Sequence, residues 1–225
     1  CNLAKKTRIK VFLSGLGLDE LLFGYRTREY LRILKILRPF KLIFKILSPL
    51  FNLNFFRLPR KAKYFHKYLA NFADNYVLKR SNLLFEEINF VSRKDIENYK
   101  KNSDLYKILN EIDKYSKDFN EKIFKSESNL YMKNMLLRDS DWAGMSNSLE
   151  IRVPFADYTF RSQVSQNYHH ITKLNKEIVL SFLPNKLKNI LKNKKKIGFN
   201  IPKNFLINEN KIDNIKYSNY VFKNY

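Results

Sequence analysis

A short apolar segment that ends in a glycine turn constrains the fold of this chain more than any other feature. Residues 8–13 (RIKVFL) are mostly β-branched or aromatic and stop at Ser14 and Gly15, which predicts a buried strand followed by a tight turn. Such a strand normally lies inside a parallel sheet that helices cover. Only residues 150–155 and 169–172 offer further extended segments. The strand is therefore either an edge remnant of a truncated sheet or the start of a buried helix.

After the turn, apolar residues follow helical spacing. Residues 61–125 predict further amphipathic helices, with polar connections near Ser81 and Ser92. The chain is therefore predicted to be an α/β protein that is mostly α-helical. The leucines that define the first helices and the prolines that mark their boundaries are Leu31, Leu34, Leu37, Pro39 and Pro49.

Length and composition predict a folded, cytoplasmic protein. With 225 residues, of which 44% are apolar, the chain can bury a core. Its single cysteine, Cys1, excludes an internal disulfide, so the sequence gives no sign of an oxidising compartment. The longest uncharged apolar stretch, residues 46–56, contains Pro49 and is shorter than the roughly 20 residues that span a bilayer.

The positive charge of the chain suggests anionic partners. The formal net charge of +22 favours phosphates, nucleic acid or a membrane surface, although solvated surface charge explains the same excess. Residues 26–45 alternate basic and apolar side chains at helical spacing, as in an amphipathic helix on an anionic membrane or a basic-faced helix packed on a core. No helix-turn-helix, zinc-finger or RNP pattern is present, so nucleic acid is not predicted as a partner.

The first candidate site lies in the glycine turn. In α/β folds, ligands bind beyond the carboxyl ends of parallel strands, where glycines permit close backbone approach. Ser14, Gly15 and Gly17 occupy this position, and Asp19 and Glu20 fall in the first turn of the next helix. One acid there can cap the helix or interact with its dipole. Two adjacent acids point in different directions, so Mg²⁺ ligation is a candidate second role.

A second candidate site lies in residues 136–160. Glu150 and Arg152 are interpreted as a buried or half-buried ion pair that fixes a helix-to-strand turn, in preference to a catalytic role. Asp139 and Asp141 stand at the edge of an Ala/Gly/Ser segment that allows close approach. They are therefore candidates for lining a ligand site.

The third candidate is Lys196, which ends a lysine cluster at residues 192–196. Gly198 follows closely and would let the backbone turn one ammonium toward a phosphate. A solvated helix end is the alternative interpretation.

Together these segments resemble, in the same order, the motifs of the synthetase domain in the asparagine synthetase family of glutamine-dependent amidotransferases. Residues 14–25 resemble S-G-x-G-x-D-E-L-F-x-G-Y, and residues 136–157 resemble L-L-R-D-x-D followed by S-L-E-x-R-V-P-F-x-D. Residues 196–205 resemble K-x-G-F-x-x-P-x-x-x-W, with Phe205 at the usual Trp. The resemblance implies the carboxyl-terminal remnant of an adenine-nucleotide alpha-hydrolase-like (PP-loop) parallel-sheet domain with a helical lobe.

The resemblance also implies ATP-driven amide formation. The carboxylate of aspartate or a related acceptor is adenylated with release of pyrophosphate, and ammonia from glutamine attacks the adenylate. ATP and Mg²⁺ are the implied cofactors, with Asp19 as a Mg²⁺ ligand and Lys196 as the cation that neutralises developing negative charge. Glu20 would organise the substrate beside the metal. The remaining implied contacts are Ser14, Gly15, Gly17 and Lys196 for the nucleotide and Asp139 and Asp141 for the substrate.

Two departures from the family pattern bear on activity. Well-studied asparagine synthetases carry a carboxylate after Ser-Gly, whereas Leu16 stands here and cannot move a proton. Members with leucine resemble relatives found beside cell-surface polysaccharide genes. The family's ATP-binding loop, S-G-G-x-D-S, does not occur in the sequence. The chain alone is therefore expected to be inactive and to need a separate polypeptide that supplies the loop.

The resemblance divides the chain into four segments. These are a strand with its S-G-x-G-x-D-E loop (1–25), a helical insert (26–130), a helical lobe with the later motifs (131–208) and a polar tail (209–225). Cys1 is not expected to be the nucleophile of the family's glutaminase domain, because the residues after it lead straight into the strand. That domain is expected to be missing here, and a homodimer is implied for the intact family protein.

Overall fold

The structure of the chain is a computed structural model, and it describes residues 9–22, 26–49, 60–88, 91–167 and 181–192. Most of the described residues are helical, and the two described strands form a parallel pair. The predicted fold class, an α/β protein that is mostly α-helical, is confirmed.

The chain divides into two compact units. The first contains Cys1–Arg32 and Ile108–Asn189, and the second contains Ile33–Lys107 and Ile190–Tyr225. The strands are β1 (Val11–Leu13) and β2 (Glu150–Arg152). The α-helices are α1 (Leu18–Leu21), α2 (Thr27–Leu37), α3 (Lys41–Leu47), α4 (Phe65–Tyr68), α5 (Phe72–Arg80), α6 (Arg93–Asn102), α7 (Asp104–Tyr115), α8 (Phe119–Ser126), α9 (Arg138–Met145), α10 (Tyr158–Gln166) and α11 (Asn185–Lys192). A π-helix occupies Glu127–Leu137, and 3-10 turns occupy Arg38–Phe40, Arg60–Tyr64, Phe85–Glu87 and Pro154–Ala156.

The strand predicted before the glycine turn is present, but it is not buried. The side chains of β1 are largely exposed, with Leu13 at 68%. Within the described residues β1 pairs with β2 alone, so no packed sheet encloses it. The prediction of burial is therefore wrong, as is the alternative of a buried helix start. Residues 150–155 begin as the strand β2, while residues 169–172 lie outside the described part of the chain.

Several helix boundaries lie where the sequence predicts them. Pro39 stands in the 3-10 turn between α2 and α3, which confirms the predicted boundary. Ser81 follows the last residue of α5, and the Ser92 hydroxyl accepts the Asp95 N–H in a reciprocal capping box that starts α6. The helical prediction for residues 61–125 is confirmed by α4 to α8.

The core of the first unit collects residues that are distant in sequence. Leu21 of α1, Phe124 of α8 and Val164 of α10 are buried together, and Phe155 packs against them. The helix that follows the glycine turn is thereby fixed to the segment that follows β2.

The second unit contains a buried polar network centred on Asp74. Its Oδ1 atom accepts bonds from Lys100 Nζ at 2.6 Å and from the Tyr106 hydroxyl at 3.1 Å. The Tyr68 hydroxyl donates to Glu86 Oε2 at 2.9 Å, and Lys100 Nζ lies 4.8 Å from the Tyr68 ring centroid. Burial, reinforced by the neighbouring carboxylates, raises the pKa of both Tyr68 and Tyr106.

Candidate functional site at the strand ends

The parallel pairing of β1 and β2 brings two sequence motifs to the same edge. Val11 lies opposite Glu150 and Leu13 opposite Arg152. The pairing continues one step further, because the Ser14 N–H donates to the Arg152 carbonyl at 2.9 Å. Parallel strands leave a sheet on the same side, so residues 14–20 and 153–157 emerge side by side.

Gly17 makes the turn after β1 possible. Its φ of +93° lies in the left-handed region, where a side chain would be strained. A Cβ at this position would also lie 3.1 Å from Met132 Sδ and 3.4 Å from Phe155 Cβ. The turn therefore packs directly on the π-helix and on the segment after β2, as only glycine allows.

The two adjacent acids differ in their surroundings. Asp19 and Glu20 stand in the first turn of α1, as predicted, and Asp19 is half-buried. Glu20 is only 2% exposed, and within the described residues its Oε1 atom has no hydrogen-bonding partner. A buried carboxylate oxygen without a partner is costly to the fold. Glu20 Oε1 is one of several buried side-chain polar atoms in the described residues that have no hydrogen-bonding partner there.

An open depression of about 570 Å³ lies at this edge. Asp141 of α9 lines it, together with Arg152, the last residue of β2, and Asp157 from the segment that follows. Asp139 is not among the lining residues, and its carboxylate lies 3.6 Å from the guanidinium of Arg138. The structure thus brings Asp141, but not Asp139, to the end of the strands.

The predicted ion pair of Glu150 and Arg152 is present, but it is exposed. Arg152 Nε lies 2.8 Å from Glu150 Oε1, and the two side chains are more than half exposed. The predicted burial is wrong because residues two apart in a strand share one face, and here that face is open. The hydrogen bond and charge of Glu150 raise the pKa of Arg152, so the guanidinium keeps its positive charge beside the depression.

The remaining predicted residues have simpler surroundings. Ser14 Oγ accepts the Leu16 N–H at 3.3 Å, so its hydroxyl shapes the turn. Gly15 is exposed, and a Cβ there would meet nothing within 4 Å. Lys196, Gly198 and the polar tail lie outside the described residues, as does Cys1.

The π-helix contributes residues that sequence analysis missed. It packs against α1 and begins at Glu127, which is 3% exposed. The signal was in the spacing, since Glu127 follows the buried Ile123 and Phe124 at four and three residues and so continues their apolar face. Met132, which contacts Gly17, belongs to the same helix.

The described residues contain no ready-made metal cage. No group of three His, Cys, Asp or Glu side chains among them is placed to hold a metal ion.

Within the same part of the chain, no helix is long and apolar enough to cross a membrane.

Comparison with known proteins supplies the class of this molecule. The family model described as asparagine synthase matches residues 1–205. Neither the curated proteins nor the solved structures contain a match. The chain belongs to the asparagine synthase family, a family of ATP-dependent ligases of the amidotransferase type. The strand pair brings together the first two of the three motifs that resembled this family, and the third lies outside the described residues.

Proposed function

We propose that the chain forms the acceptor end of an ATP-dependent amide synthesis site. A carboxylate oxygen of the acceptor attacks the α-phosphorus of ATP, and the bond to pyrophosphate breaks. Ammonia derived from glutamine then attacks the acyl carbon, the carbon–oxygen bond breaks, and AMP leaves with that oxygen. The nitrogen loses one proton to give the neutral amide. Aspartate or a related carboxylate is the acceptor.

One observation supports this function most strongly. The pairing of β1 with β2 brings the S-G-x-G-x-D-E turn and the V-P-F-x-D segment to one edge, and Glu20 at the end of that turn has a buried oxygen without a partner in the described residues. A carboxylate in this state suits a ligand that carries hydrogen-bond donors or a cation.

The proposal gives Asp19 and Glu20 different roles at this edge. Asp19, half-buried beside the turn, would hold Mg²⁺, which needs only one or two protein carboxylates when phosphates supply other ligands. Magnesium, when bound, would neutralise charge on the phosphates of ATP. Glu20 would orient the acceptor, and Asp141 would line its site.

The nucleotide contacts are proposed from the motifs alone. Ser14, Gly15 and Gly17 would let the backbone approach the nucleotide, and Lys196 would stabilise the negative charge that develops during transfer. Asp139 stays a candidate substrate contact.

The identity of the acceptor is the most specific part of the proposal. Leu16 replaces the carboxylate of well-studied asparagine synthetases, which favours an acceptor other than free aspartate, such as a carboxylate of a cell-surface polysaccharide. We therefore include glucuronate beside aspartate as a test substrate.

Oxygen-18 transfer tests the reaction. The chain is mixed with a polypeptide that carries the S-G-G-x-D-S loop and the other strands of the family domain, with Mg·ATP, ammonium and the labelled carboxylate. We expect equal amounts of AMP and pyrophosphate, with one heavy oxygen in AMP, and no turnover by the chain alone. Labelled inorganic phosphate together with ADP would contradict adenylation. Turnover by the chain alone would contradict the need for the loop.

A pair of matched variants tests the site. Asp19→Asn is expected to reduce AMP formation by about a hundredfold or more, because a metal-binding charge is lost. Asp104→Asn changes a carboxylate whose side chain is 89% exposed at the start of α7, and it should leave AMP formation unchanged. Equal effects of the two variants would rule out the proposed role of Asp19.

A further inference from the structure

The second unit presents an apolar surface that the described fold does not cover. Helix α2 runs through the 3-10 turn Arg38–Phe40 into α3. The exposed apolar side chains of this segment are between 48% and 76% exposed, and together we call them the elbow surface: Ile33, Ile36, Phe40, Leu42, Ile43 and Ile46. Single exposed apolar residues are ordinary, but six within fourteen positions mark a binding surface.

The 3-10 turn keeps these side chains on one face. An α-helix advances about 100° per residue and a 3-10 helix about 120°, so the three-residue turn rotates α3 by about 60°. With this rotation the elbow side chains fall within about 160°, a little under half of the circumference. Leu34 and Phe44 fall on the other side, where Leu34 is 1% exposed and the Phe44 ring lies 5.8 Å from that of Phe65.

Basic residues border the elbow surface. The same count places Lys35 and Lys45 about 40–60° from its edge and Arg38 and Lys41 farther round the helix, and all but Lys41 are exposed. From residue 30 to residue 73 the sequence has ten Lys or Arg residues and no Asp or Glu. The surface therefore offers apolar contact area and positive charge to the same partner.

We propose that the elbow surface binds an anionic lipid membrane from one side. The apolar side chains would enter the boundary between headgroups and acyl chains, while the bordering Lys35 and Lys45 would reach lipid phosphates and carboxylates. A soluble polyanion would satisfy the charges but would leave the apolar side chains in water. The combination of both features favours a membrane over nucleic acid.

This surface is independent of the proposed synthesis reaction. Its residues, 33–46, belong to the second unit, whereas the described residues of the strand-end site belong to the first. Failure of either proposal would leave the other standing, because one is read by lipid binding and the other by AMP formation.

Sedimentation with vesicles tests the proposal. The chain is mixed with sucrose-loaded vesicles of phosphatidylserine and phosphatidylcholine in equal parts, or of phosphatidylcholine alone. We expect binding to the anionic vesicles at least about tenfold tighter than to the neutral ones, and weakening as salt rises. Absence of binding to the anionic vesicles would overturn the proposal.

Matched variants distinguish the contribution of the apolar side chains to vesicle binding from that of positive charge. The double variant Ile36→Ser with Ile46→Ser should weaken binding about tenfold, because both side chains lose apolar contact. Phe182→Ser removes an 83% exposed aromatic from the first unit and should leave binding unchanged. Lys45→Glu should weaken binding more than Lys101→Glu, whose lysine lies at the exposed end of α6.

Three outcomes would contradict the membrane proposal. If the double variant Ile36→Ser with Ile46→Ser loses no more vesicle binding than Phe182→Ser does, the elbow surface has no special role. Tight binding to double-stranded DNA that the serine variants leave unchanged, with no vesicle binding, would assign the charge to nucleic acid. A concentration-dependent dimer that the serine variants abolish, again without vesicle binding, would assign the surface to a second copy of the chain.

Discussion

Asp74 and Glu20 are both buried carboxylates, but the fold treats them differently. Asp74 accepts bonds from Lys100 and Tyr106, so its burial is explained by its neighbours. Glu20 is buried as deeply, and its Oε1 atom has no partner in the described residues. A buried polar group that is fully paired stabilises and specifies a core, whereas an unpaired one costs stability. In the proposal, this difference separates a structural acid, Asp74, from one that binds a ligand, Glu20.

The largest expected effect comes from removing the cation beside Asp74. Lys100→Met should lower the free energy of unfolding by about 3 kcal/mol, because it leaves a buried charge without its partner. Urea denaturation followed by circular dichroism measures this change. Lys101→Met, at the neighbouring exposed position of α6, should change it by less than about 0.5 kcal/mol. Equal effects would mean that Asp74 does not depend on Lys100.

The stability of the strand-end region should depend on packing rather than on charge. Gly144→Ala would place a Cβ 2.6 Å from the Leu149 carbonyl oxygen and 3.0 Å from Ile151, so it should cost about 2 kcal/mol of unfolding free energy. At Gly15 a Cβ meets nothing within 4 Å, and Gly15→Ala should cost less than about 1 kcal/mol. Equal urea midpoints for the two variants would contradict tight packing between α9 and β2.

A smaller effect is expected from the hydroxyl that donates to Asp74. Tyr106→Phe should lower the free energy of unfolding by about 1 kcal/mol, because one charged hydrogen bond is lost while the ring remains. Tyr115→Phe changes a tyrosine that is 68% exposed and should have no measurable effect in the same urea titration. A stabilised Tyr106→Phe protein would show that the network is not satisfied as described.

The same tyrosine predicts alkaline sensitivity. Since the pKa of Tyr106 is raised in the folded chain, the unfolded chain releases the proton first as the pH rises. Its contribution to stability is therefore intact below the ordinary tyrosine pKa of about 10 and decreases above it. The alkaline loss of unfolding free energy should be smaller in Tyr106→Phe than in the parent chain. An identical pH profile would contradict the raised pKa.

Local signals in the sequence predicted the strand, the turn and the position of the acids. Gly17 and the acids of α1 act within a few residues, so their structure follows from short-range geometry. The exposure of β1 was not predictable, because burial depends on which elements cover the strand. The Asp74 network was missed for the same reason, since its donors lie 26 and 32 residues away.

The site was only partly predictable. The order of the motifs indicated the family, and the parallel register then joined the first two motifs at one edge. Sequence alone did not separate Asp141, which reaches the depression, from Asp139, which does not. These residues are two apart in a helix, so they point in different directions, and the packing of α9 decides which one faces the strand ends.

The most direct test measures stability and turnover together in one variant, Glu20→Gln. If Glu20 is retained for the reaction, the free energy of unfolding should stay within about 0.5 kcal/mol of the parent value or rise. AMP formation in the complemented reaction should fall sharply in the same protein. A loss of stability similar to that of Lys100→Met, with AMP formation intact, would instead make Glu20 a structural acid and contradict the site proposed at the strand ends.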